Sequence, residues 1–215
     1  MTLAVKICGV NSAEAMTAAV AGGAAYVGLM FYPPSPRFLE AEAAAGLAAP
    51  VPAGVKRVGV FVDEPDEVIE RILAAVPLEM LQFHGTEPPE RVHRARARFG
   101  LPVIKAVKLA SAADLAAARA YEQAADMLLF DAKPPADMSG VLPGGNALTF
   151  DWRLLKGSAW DRPWLLSGGL TAGNLAEAVA VTGARIVDVS SGVESAPGRK
   201  DAARIRAFLG AAAGL

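Results

Sequence analysis

The chain has 215 residues, 53% of them hydrophobic and 20% charged, which excludes a disordered protein and suits one well-packed domain over residues 1–215. Its 21 Lys and Arg nearly balance 22 Asp and Glu, which argues against nucleic acid as a partner because phosphate affinity needs clustered basic residues. One cysteine cannot form an internal disulfide, and neither an apolar run of about 18 residues nor a basic export leader is present, so we expect a cytoplasmic protein without a membrane span.

Short segments rich in Val, Ile, Leu and Met alternate with alanine-rich amphipathic segments from one end of the chain to the other. The apolar segments predict eight strands, at Leu3–Cys8, Ala25–Phe31, Val55–Val62, Glu79–His84, Val103–Val107, Met127–Asp131, Trp164–Ser167 and Ile186–Ser190. The amphipathic segments predict helices at Ser12–Ala21, Glu40–Ala48, Pro65–Val76, Pro88–Phe99, Ala112–Ala125, Ala172–Thr182 and Asp201–Ala213. Ser12 and Ser111 are candidate N-caps, and Pro65 and Pro88 stand at helix starts, where a missing N–H group does no harm.

This alternation predicts the fold class. Strands that are apolar throughout belong to a parallel sheet covered by helices, and parallel strands need right-handed crossovers. An open doubly wound sheet is the alternative, but its phosphate loop follows the first strand, where this chain has Gly9-Val10-Asn11. We therefore predict an α/β fold, a single-domain (β/α)8 TIM barrel. The long, Pro- and Gly-rich connection Ala132–Thr149 is either a mobile lid or a disordered insert, and its position after the sixth strand favours a lid.

Barrel active sites lie at the carboxyl ends of the strands, and polar residues cluster at those ends in this sequence. Ser167-Gly168-Gly169 follows the seventh strand, and Ser190-Ser191-Gly192 follows the eighth. Glycines let backbone N–H groups approach phosphate oxygens, and a short helix starting near Gly192 would direct its positive end at the anion. Two ordinary glycine turns are the alternative, but their joint position favours phosphate. We therefore expect a small phosphorylated substrate.

Two residues at strand ends are candidates for proton transfer. Cys8 ends the first strand, and alternation places Lys6 on the same face, where its charge would favour a thiolate. The alternative, a small buried hydrophobic residue, is the commoner fate of a free cysteine. Asp131 closes the apolar segment Met-Leu-Leu-Phe-Asp and is a candidate general acid, with a cap or a partner of Lys133 as the alternatives.

Other polar residues at this end could bind substrate or support the barrel. His84 fits a functional residue and a hydrogen-bonded rim residue equally well. Arg37 stands in a loop with three prolines, which suits bidentate recognition of a carboxylate better than a surface position before a helix start. Lys6 and Lys105 should point into the barrel as structural residues, with Asp188 on the strand next to the first. Two histidines and one cysteine cannot form a usual zinc set, so we expect no metal.

The order of several motifs resembles the phosphoribosylanthranilate isomerase family. These motifs are Lys6-Ile7-Cys8-Gly9, Gly28-Leu29-Met30-Phe31-Tyr32, Ser35-Pro36-Arg37, Gly59-Val60-Phe61-Val62, Leu81-Gln82-Phe83-His84-Gly85, Leu129-Phe130-Asp131, Phe150-Asp151-Trp152, Ser167-Gly168-Gly169-Leu170, Asp188-Val189-Ser190-Ser191-Gly192-Val193-Glu194, Pro197-Gly198 and Lys200-Asp201. Gly-Gly-Leu recurs in other phosphate-binding barrels. The combination of Lys-Ile-Cys-Gly, Ser-Pro-Arg and Leu-Gln-Phe-His-Gly is specific, and it favours a functional Cys8.

The resemblance implies an isomerase of tryptophan biosynthesis that performs an Amadori rearrangement of N-(5'-phosphoribosyl)anthranilate to carboxyphenylamino-deoxyribulose phosphate. On the matching positions, Asp131 would protonate the ring oxygen and Cys8, as a thiolate, would remove the C2 proton. Arg37 would bind the anthranilate carboxylate, His84 would contact the substrate, and the two glycine loops would hold the phosphate. Such chemistry needs no metal or organic cofactor. We expect a monomer or a homodimer.

The chain departs from the family pattern at Asn146-Ala147, where Thr-Gly is usual, and at Pro34, where a basic residue is common. These departures should alter the lid or ligand affinity and not the reaction. Other sugar-phosphate barrels fit less well, since a metal epimerase needs several histidines at strand ends and a histidine-pathway isomerase needs an aspartate where Cys8 stands. A catalytically silent phosphate-binding barrel would explain the glycine loops but not Cys8 together with Asp131.

Overall fold

The computed structural model describes residues 2–134, 142, 144–146 and 148–215. Eight parallel strands form a closed barrel in sequence order: β1 (Ala4–Ile7), β2 (Tyr26–Met30), β3 (Lys56–Phe61), β4 (Met80–Phe83), β5 (Val103–Leu109), β6 (Met127–Ala132), β7 (Trp164–Leu166) and β8 (Ile186–Val189). Strand β1 pairs with β8 in a register that sets Lys6 opposite Asp188, and this pairing closes the sheet. The prediction of a (β/α)8 barrel is confirmed.

Seven α-helices pack around the barrel in the described part of the chain. They are α1 (Ala13–Ala21), α2 (Ala41–Ala48), α3 (Asp66–Ala75), α4 (Pro89–Phe99), α5 (Ala112–Ala118), α6 (Leu175–Thr182) and α7 (Ala202–Ala213). The side chains of Ser12 and Ser111 accept hydrogen bonds from N–H groups of the first turns of α1 and α5, as predicted. Pro65 and Pro88 occupy the N-cap positions of α3 and α4. No helix among these residues is long and apolar enough to cross a membrane.

Several elements differ from the prediction. The helix expected over Ala112–Ala125 ends at Ala118 and continues as a 3₁₀ turn, Arg119–Tyr121, where the Tyr121 hydroxyl donates to the carbonyl of Glu87 at 3.0 Å. A 3₁₀ turn, Trp152–Leu155, takes the position between β6 and β7. Residues 135–141, 143 and 147, within the predicted lid, lie outside the described residues, so the lid stays a prediction.

The core has two layers, because strand side chains alternate between the barrel interior and the surrounding helices. The interior cluster consists of Val58, Met80, Ile104, Ala106, Met127, Leu129 and Leu165. Lys6 also lies in the interior, fully buried, and its Nζ is 2.8 Å from Oδ1 of Asp188. Lys6 therefore has the acidic partner that its predicted structural role requires.

Lys105 does not point into the barrel, and this expectation was wrong. Its neighbours Ile104 and Ala106 face the interior, so alternation turns Lys105 toward the helix layer. There its Nζ lies 2.7 Å from Oε2 of Glu87 and 5.6 Å from the centre of the Tyr121 ring. The ammonium also donates to the carbonyl oxygen of Gly85 at 2.9 Å. Lys105 thus supports the loop that follows β4.

Candidate active site

A pocket opens at the carboxyl ends of the strands. All nine residues proposed from the sequence line it: Cys8, Arg37, His84, Asp131, Gly168, Gly169, Ser190, Ser191 and Gly192. They come from segments that follow or end six different strands, and a closed parallel barrel brings those ends to one face. The fold therefore assembles residues that are up to 184 positions apart (192 minus 8) in the chain.

Cys8 follows β1 directly, and its backbone N–H donates to the carbonyl of Val189 on β8 at 2.9 Å. The residue is 5% exposed. Gly28 on β2 allows the thiol and the Lys6 ammonium to approach closely, since a Cβ there would lie 3.0 Å from Sγ of Cys8 and 3.2 Å from Nζ of Lys6. The sequence thus places a cation immediately beside the thiol at the base of the pocket.

Burial raises the pKa of the Cys8 thiol above its ordinary value; the Lys6 charge opposes this shift and the Asp188 charge adds to it. Lys6 acts in the direction expected from the sequence, but burial outweighs it, so the pKa of the thiol is raised overall. Burial alone would lower the pKa of Lys6, but Asp188 and Cys8 hold that pKa above its ordinary value. Lys6 therefore remains a cation.

Asp131, the second-last residue of β6, is 6% exposed and lines the same pocket as Cys8. Its Oδ2 is 3.2 Å from Nε2 of His84, and its Oδ1 accepts the N–H of Ala132 at 2.8 Å. On the far side of the imidazole, Nδ1 of His84 is 2.8 Å from Nε2 of Gln82. Lys133 pairs with Asp114 instead, at 2.7 Å, which removes one alternative role for Asp131.

Arg37 is buried, at 3% exposure, and not on the surface. Its Nε and Nη2 atoms donate to the two carboxylate oxygens of Glu194 at 2.7 and 2.8 Å, and Nη2 also donates to the carbonyl of Gly145 at 3.1 Å. Nη1 makes no hydrogen bond to any residue that the structure describes. Among the described residues, Arg37 therefore presents one unpaired nitrogen, Nη1, to the pocket that it lines.

The two glycine loops have backbones suited to an anion. Gly168 and Gly169 adopt φ values of +89° and +63°, a conformation that disfavours any residue with a side chain. After β8, residues Ser191–Val193 form a 3₁₀ turn, close to where the sequence predicts a short helix. Both segments face the pocket. Their N–H groups can donate to phosphate oxygens.

Two charged residues with buried side chains beside this pocket, Glu194 and Lys200, were not predicted as site residues from the sequence. They lie on a short antiparallel hairpin of β9 (Glu194–Ala196) and β10 (Arg199–Lys200) that was not predicted. Strands of three and two residues are too short to show an alternating pattern. The only signal was that both residues belong to motifs shared with the resembling family. In the described part of the chain, no three His, Cys, Asp or Glu residues are grouped as metal ligands.

Comparison with known proteins places this chain in a family. The model of the "N-(5'phosphoribosyl)anthranilate (PRA) isomerase" family matches residues 5–211. The N-(5'-phosphoribosyl)anthranilate isomerase of Rhodospirillum centenum is 60% identical over 215 residues, with all of both chains covered, and that of Cereibacter sphaeroides is 58% identical over 205 residues, covering 95% of this chain and 96% of the relative.

Solved structures of phosphoribosyl anthranilate isomerases also resemble this chain. The phosphoribosyl anthranilate isomerase of Thermotoga maritima superposes with a TM-score of 0.86 at 39% identity and covers 99% of this chain and 100% of its own. A second structure, at TM-score 0.83 and 35% identity with the same coverage, is an isomerase in complex with reduced 1-(o-carboxyphenylamino)-1-deoxyribulose 5-phosphate. A Thermotoga maritima enzyme of this kind is described as dimeric. The chain belongs to the N-(5'-phosphoribosyl)anthranilate isomerase family.

Proposed function

We propose that this chain isomerises N-(5'-phosphoribosyl)anthranilate to 1-(2-carboxyphenylamino)-1-deoxyribulose 5-phosphate, a step of tryptophan biosynthesis, with Asp131 as general acid and Cys8 as general base. The observation that carries the proposal is that one pocket brings together a thiol, a carboxyl group, a buried arginine and two glycine loops. The ligand in the related complex has a carboxyphenyl group at one end and a phosphate at the other. The pocket has a suitable partner for each end.

The acid step uses Asp131. Its carboxyl group protonates the furanose ring oxygen as the C1–O bond breaks, which opens the ring and leaves a protonated imine between C1 and the anthranilate nitrogen. His84 lies 3.2 Å from Oδ2 of Asp131, so it can orient the carboxyl group and contact the substrate. Oδ1 is held by the backbone N–H of Ala132 at 2.8 Å. Both oxygens of the acid are thus fixed at the pocket wall.

The base step uses Cys8. Its thiolate takes the proton from C2 of the imine to give an enolamine, which then tautomerises to the ketone. The buried setting that raises the pKa of the thiol lowers the thiolate fraction but makes the thiolate a stronger base for a carbon-bound proton. Lys6 stabilises the thiolate by compensating its negative charge, so the buried thiol can still ionise. No organic cofactor has a role in these two proton transfers.

The ends of the substrate are bound by different loops. We assign the anthranilate carboxylate to Arg37, because Glu194 fixes its guanidinium while Nη1 stays unpaired among the described residues. We assign the phosphate to Gly168, Gly169 and the turn Ser190–Gly192. We expect a monomer or homodimer in the cytoplasm, with this small phosphorylated molecule and no nucleic acid as its partner.

The test is a turnover assay on the purified protein. The fluorescence of N-(5'-phosphoribosyl)anthranilate should fall on adding catalytic amounts of the protein, and chromatography should show the ketose as product. The matched control is Asp161→Asn, an exposed aspartate away from the pocket, which should behave as the unmodified protein. Unchanged fluorescence with the folded protein would contradict the proposed reaction.

A further inference from the structure

The hairpin of β9 and β10 is separate from the barrel sheet, yet two of its three charged side chains, those of Glu194 and Lys200, are buried. The Glu194 side chain is 4% exposed and the Lys200 side chain is fully buried. Neither is among the residues that line the pocket, so substrate contact does not explain their burial. A buried charge is costly unless partners compensate it, and the partners here connect two parts of the site.

The carboxylate of Glu194 is shared between two cations. Oε1 accepts from Nε of Arg37 at 2.7 Å and from Nζ of Lys200 at 2.7 Å. Oε2 accepts from Nη2 of Arg37 at 2.8 Å and from the N–H of Gly198 at 3.2 Å. Burial would raise the pKa of Glu194, but Arg37 and Lys200 lower it below its ordinary value. The group is therefore an anion with all its positions occupied.

Lys200 extends the same network to the turn after β8. Its Nζ donates to the carbonyl oxygen of Ser190 at 2.9 Å and to Oγ of Ser190 at 3.2 Å, besides the bond to Glu194. An ammonium group has three donors, and these three acceptors use all of them. The position of Ser190, where the second glycine turn begins, is thus tied to Glu194.

We propose that Glu194 is a positioning residue that holds both ends of the ligand pocket at once, Arg37 directly and the Ser190 turn through Lys200. The inference rests on the proposed function, which assigns the carboxylate to Arg37 and the phosphate to the glycine turns. Glu194 touches neither end of the substrate. It fixes the distance and orientation between Arg37 and the Ser190 turn, which bind the two ends. The hairpin that carries Glu194 is also anchored to the loop after β1, because the side chain of Asn11 donates to the carbonyl of Gly198 at 2.8 Å.

Glu194→Gln distinguishes a positioning role of Glu194 from a direct effect of its negative charge on ligand binding. Removing this anion makes the pocket more positive, so charge alone predicts tighter binding of anionic ligands. Positioning predicts the opposite, because the amide keeps only one acceptor oxygen and in either orientation its NH₂ group would face an N–H donor of Arg37. We expect the competitive inhibition constants of both anthranilate and inorganic phosphate to rise by about 10-fold or more. KM should rise in parallel, while kcat falls less than KM rises.

Two further variants show which contact of Glu194 affects the binding of each inhibitor. Lys200→Met should raise the inhibition constant of phosphate by about 10-fold while that of anthranilate changes by less than about threefold, because Lys200 contacts Ser190 and not Arg37. Glu194→Asp keeps the charge but is shorter by one methylene group, so it should also weaken both inhibitors. This variant preserves the test if Glu194→Gln does not fold. Glu67→Gln, an exposed residue on α3, is the control for losing one negative charge.

The results of these experiments distinguish a failure of the positioning role from a failure of the proposed function. Wild-type or lower inhibition constants in both Glu194 variants would overturn the proposal. Lys200→Met weakening anthranilate as strongly as phosphate would overturn the separate role of Lys200. If Arg37→Ala left anthranilate inhibition unchanged, the assignment of the carboxylate end would fail. The phosphate constants of the Glu194 and Lys200 variants would still decide whether the network positions Ser190.

Discussion

Two buried charges flank the Cys8 thiol and should move its pKa in opposite directions. Lys6 lowers the pKa and Asp188 raises it, so Lys6→Met should raise the pKa further and Asp188→Asn should lower it. In the proposed mechanism only the thiolate acts as base, so kcat/KM should rise with pH as the thiol ionises. This ascending limb should shift to higher pH in Lys6→Met and to lower pH in Asp188→Asn.

The same pKa can be measured without substrate, because Cys8 is the only cysteine in the chain. Ultraviolet absorbance of the thiolate, followed against pH in the ligand-free protein, should give the same order of the three proteins. Ascending limbs that shift in one direction for both variants would show that the limb does not report Cys8.

Arg37→Ala tests how the carboxylate end is bound. A hydrogen bond to a charged group contributes about 1.5–3 kcal/mol, so KM should rise roughly 10- to 100-fold. If the contact is equally strong in the ground and transition states, kcat should hold. Steady-state kinetics measures both constants.

Inorganic phosphate provides the internal control for this variant, because the proposed assignment places it only at the other end of the pocket. Its competitive inhibition constant should be unchanged in Arg37→Ala, since Glu194 keeps its bond to Lys200 at 2.7 Å. A wild-type KM, or an altered phosphate constant, would mean that the two ends have been assigned wrongly.

Residues at strand ends could be found from the sequence, and those brought in by the hairpin could not. Cys8 and Asp131 end or follow apolar strands, so the parallel barrel alone places them at one face. Glu194 reaches Arg37 across a separation of 157 residues, through two strands that leave no pattern in the sequence. The direction of the Cys8 pKa shift also escaped prediction, because it depends on the depth of burial.

The loop after β4, which begins with His84, is held by a buried ion pair. Lys105 and Glu87 are each 3% exposed and lie 2.7 Å apart, and Glu87 also accepts the N–H of Asp63 at 2.8 Å. Removing one partner of a buried pair leaves an uncompensated charge. Lys105→Met should therefore reduce the free energy of unfolding by about 3–5 kcal/mol, measured by urea denaturation.

A surface pair provides the comparison. Lys56, 49% exposed, pairs with Glu79 at 2.9 Å, and such exposed pairs contribute roughly 0–1 kcal/mol. Lys56→Met should thus cost much less than Lys105→Met. Equal losses in the two variants would contradict a special role for the buried pair in fixing the loop after β4.

Elements with a clear hydrophobic period were predictable, and elements shaped by tertiary contacts were not. All eight barrel strands lie within or close to their predicted ranges. The end of α5 was misplaced because Tyr121 and Arg119 make contacts with distant residues, including the Trp160 ring 3.9 Å from the Arg119 guanidinium. Such contacts tighten a last turn without any change in local propensity.

At the scale of the molecule, closure of the barrel brings residues that are distant in the sequence to one pocket. Cys8, directly after the first strand, and Asp131, on the sixth, are far apart in the chain, yet both line one pocket. The alternation of strands and helices was sufficient to predict this meeting, since closure of a parallel sheet brings every carboxyl end to one rim. The polar interior pair of Lys6 and Asp188 then sets the charge beneath that rim.

The most direct test of the account measures turnover of N-(5'-phosphoribosyl)anthranilate by Cys8→Ser and Asp131→Asn, with binding of a reduced product analogue measured by calorimetry. Each variant should lose at least about 100-fold in kcat, because general acid–base catalysis contributes that much, while the analogue still binds. Serine is far too weak an acid to act as the base, and asparagine has no proton to give. Either variant retaining most of the wild-type kcat would contradict the assignment of Cys8 and Asp131 as the acid–base pair.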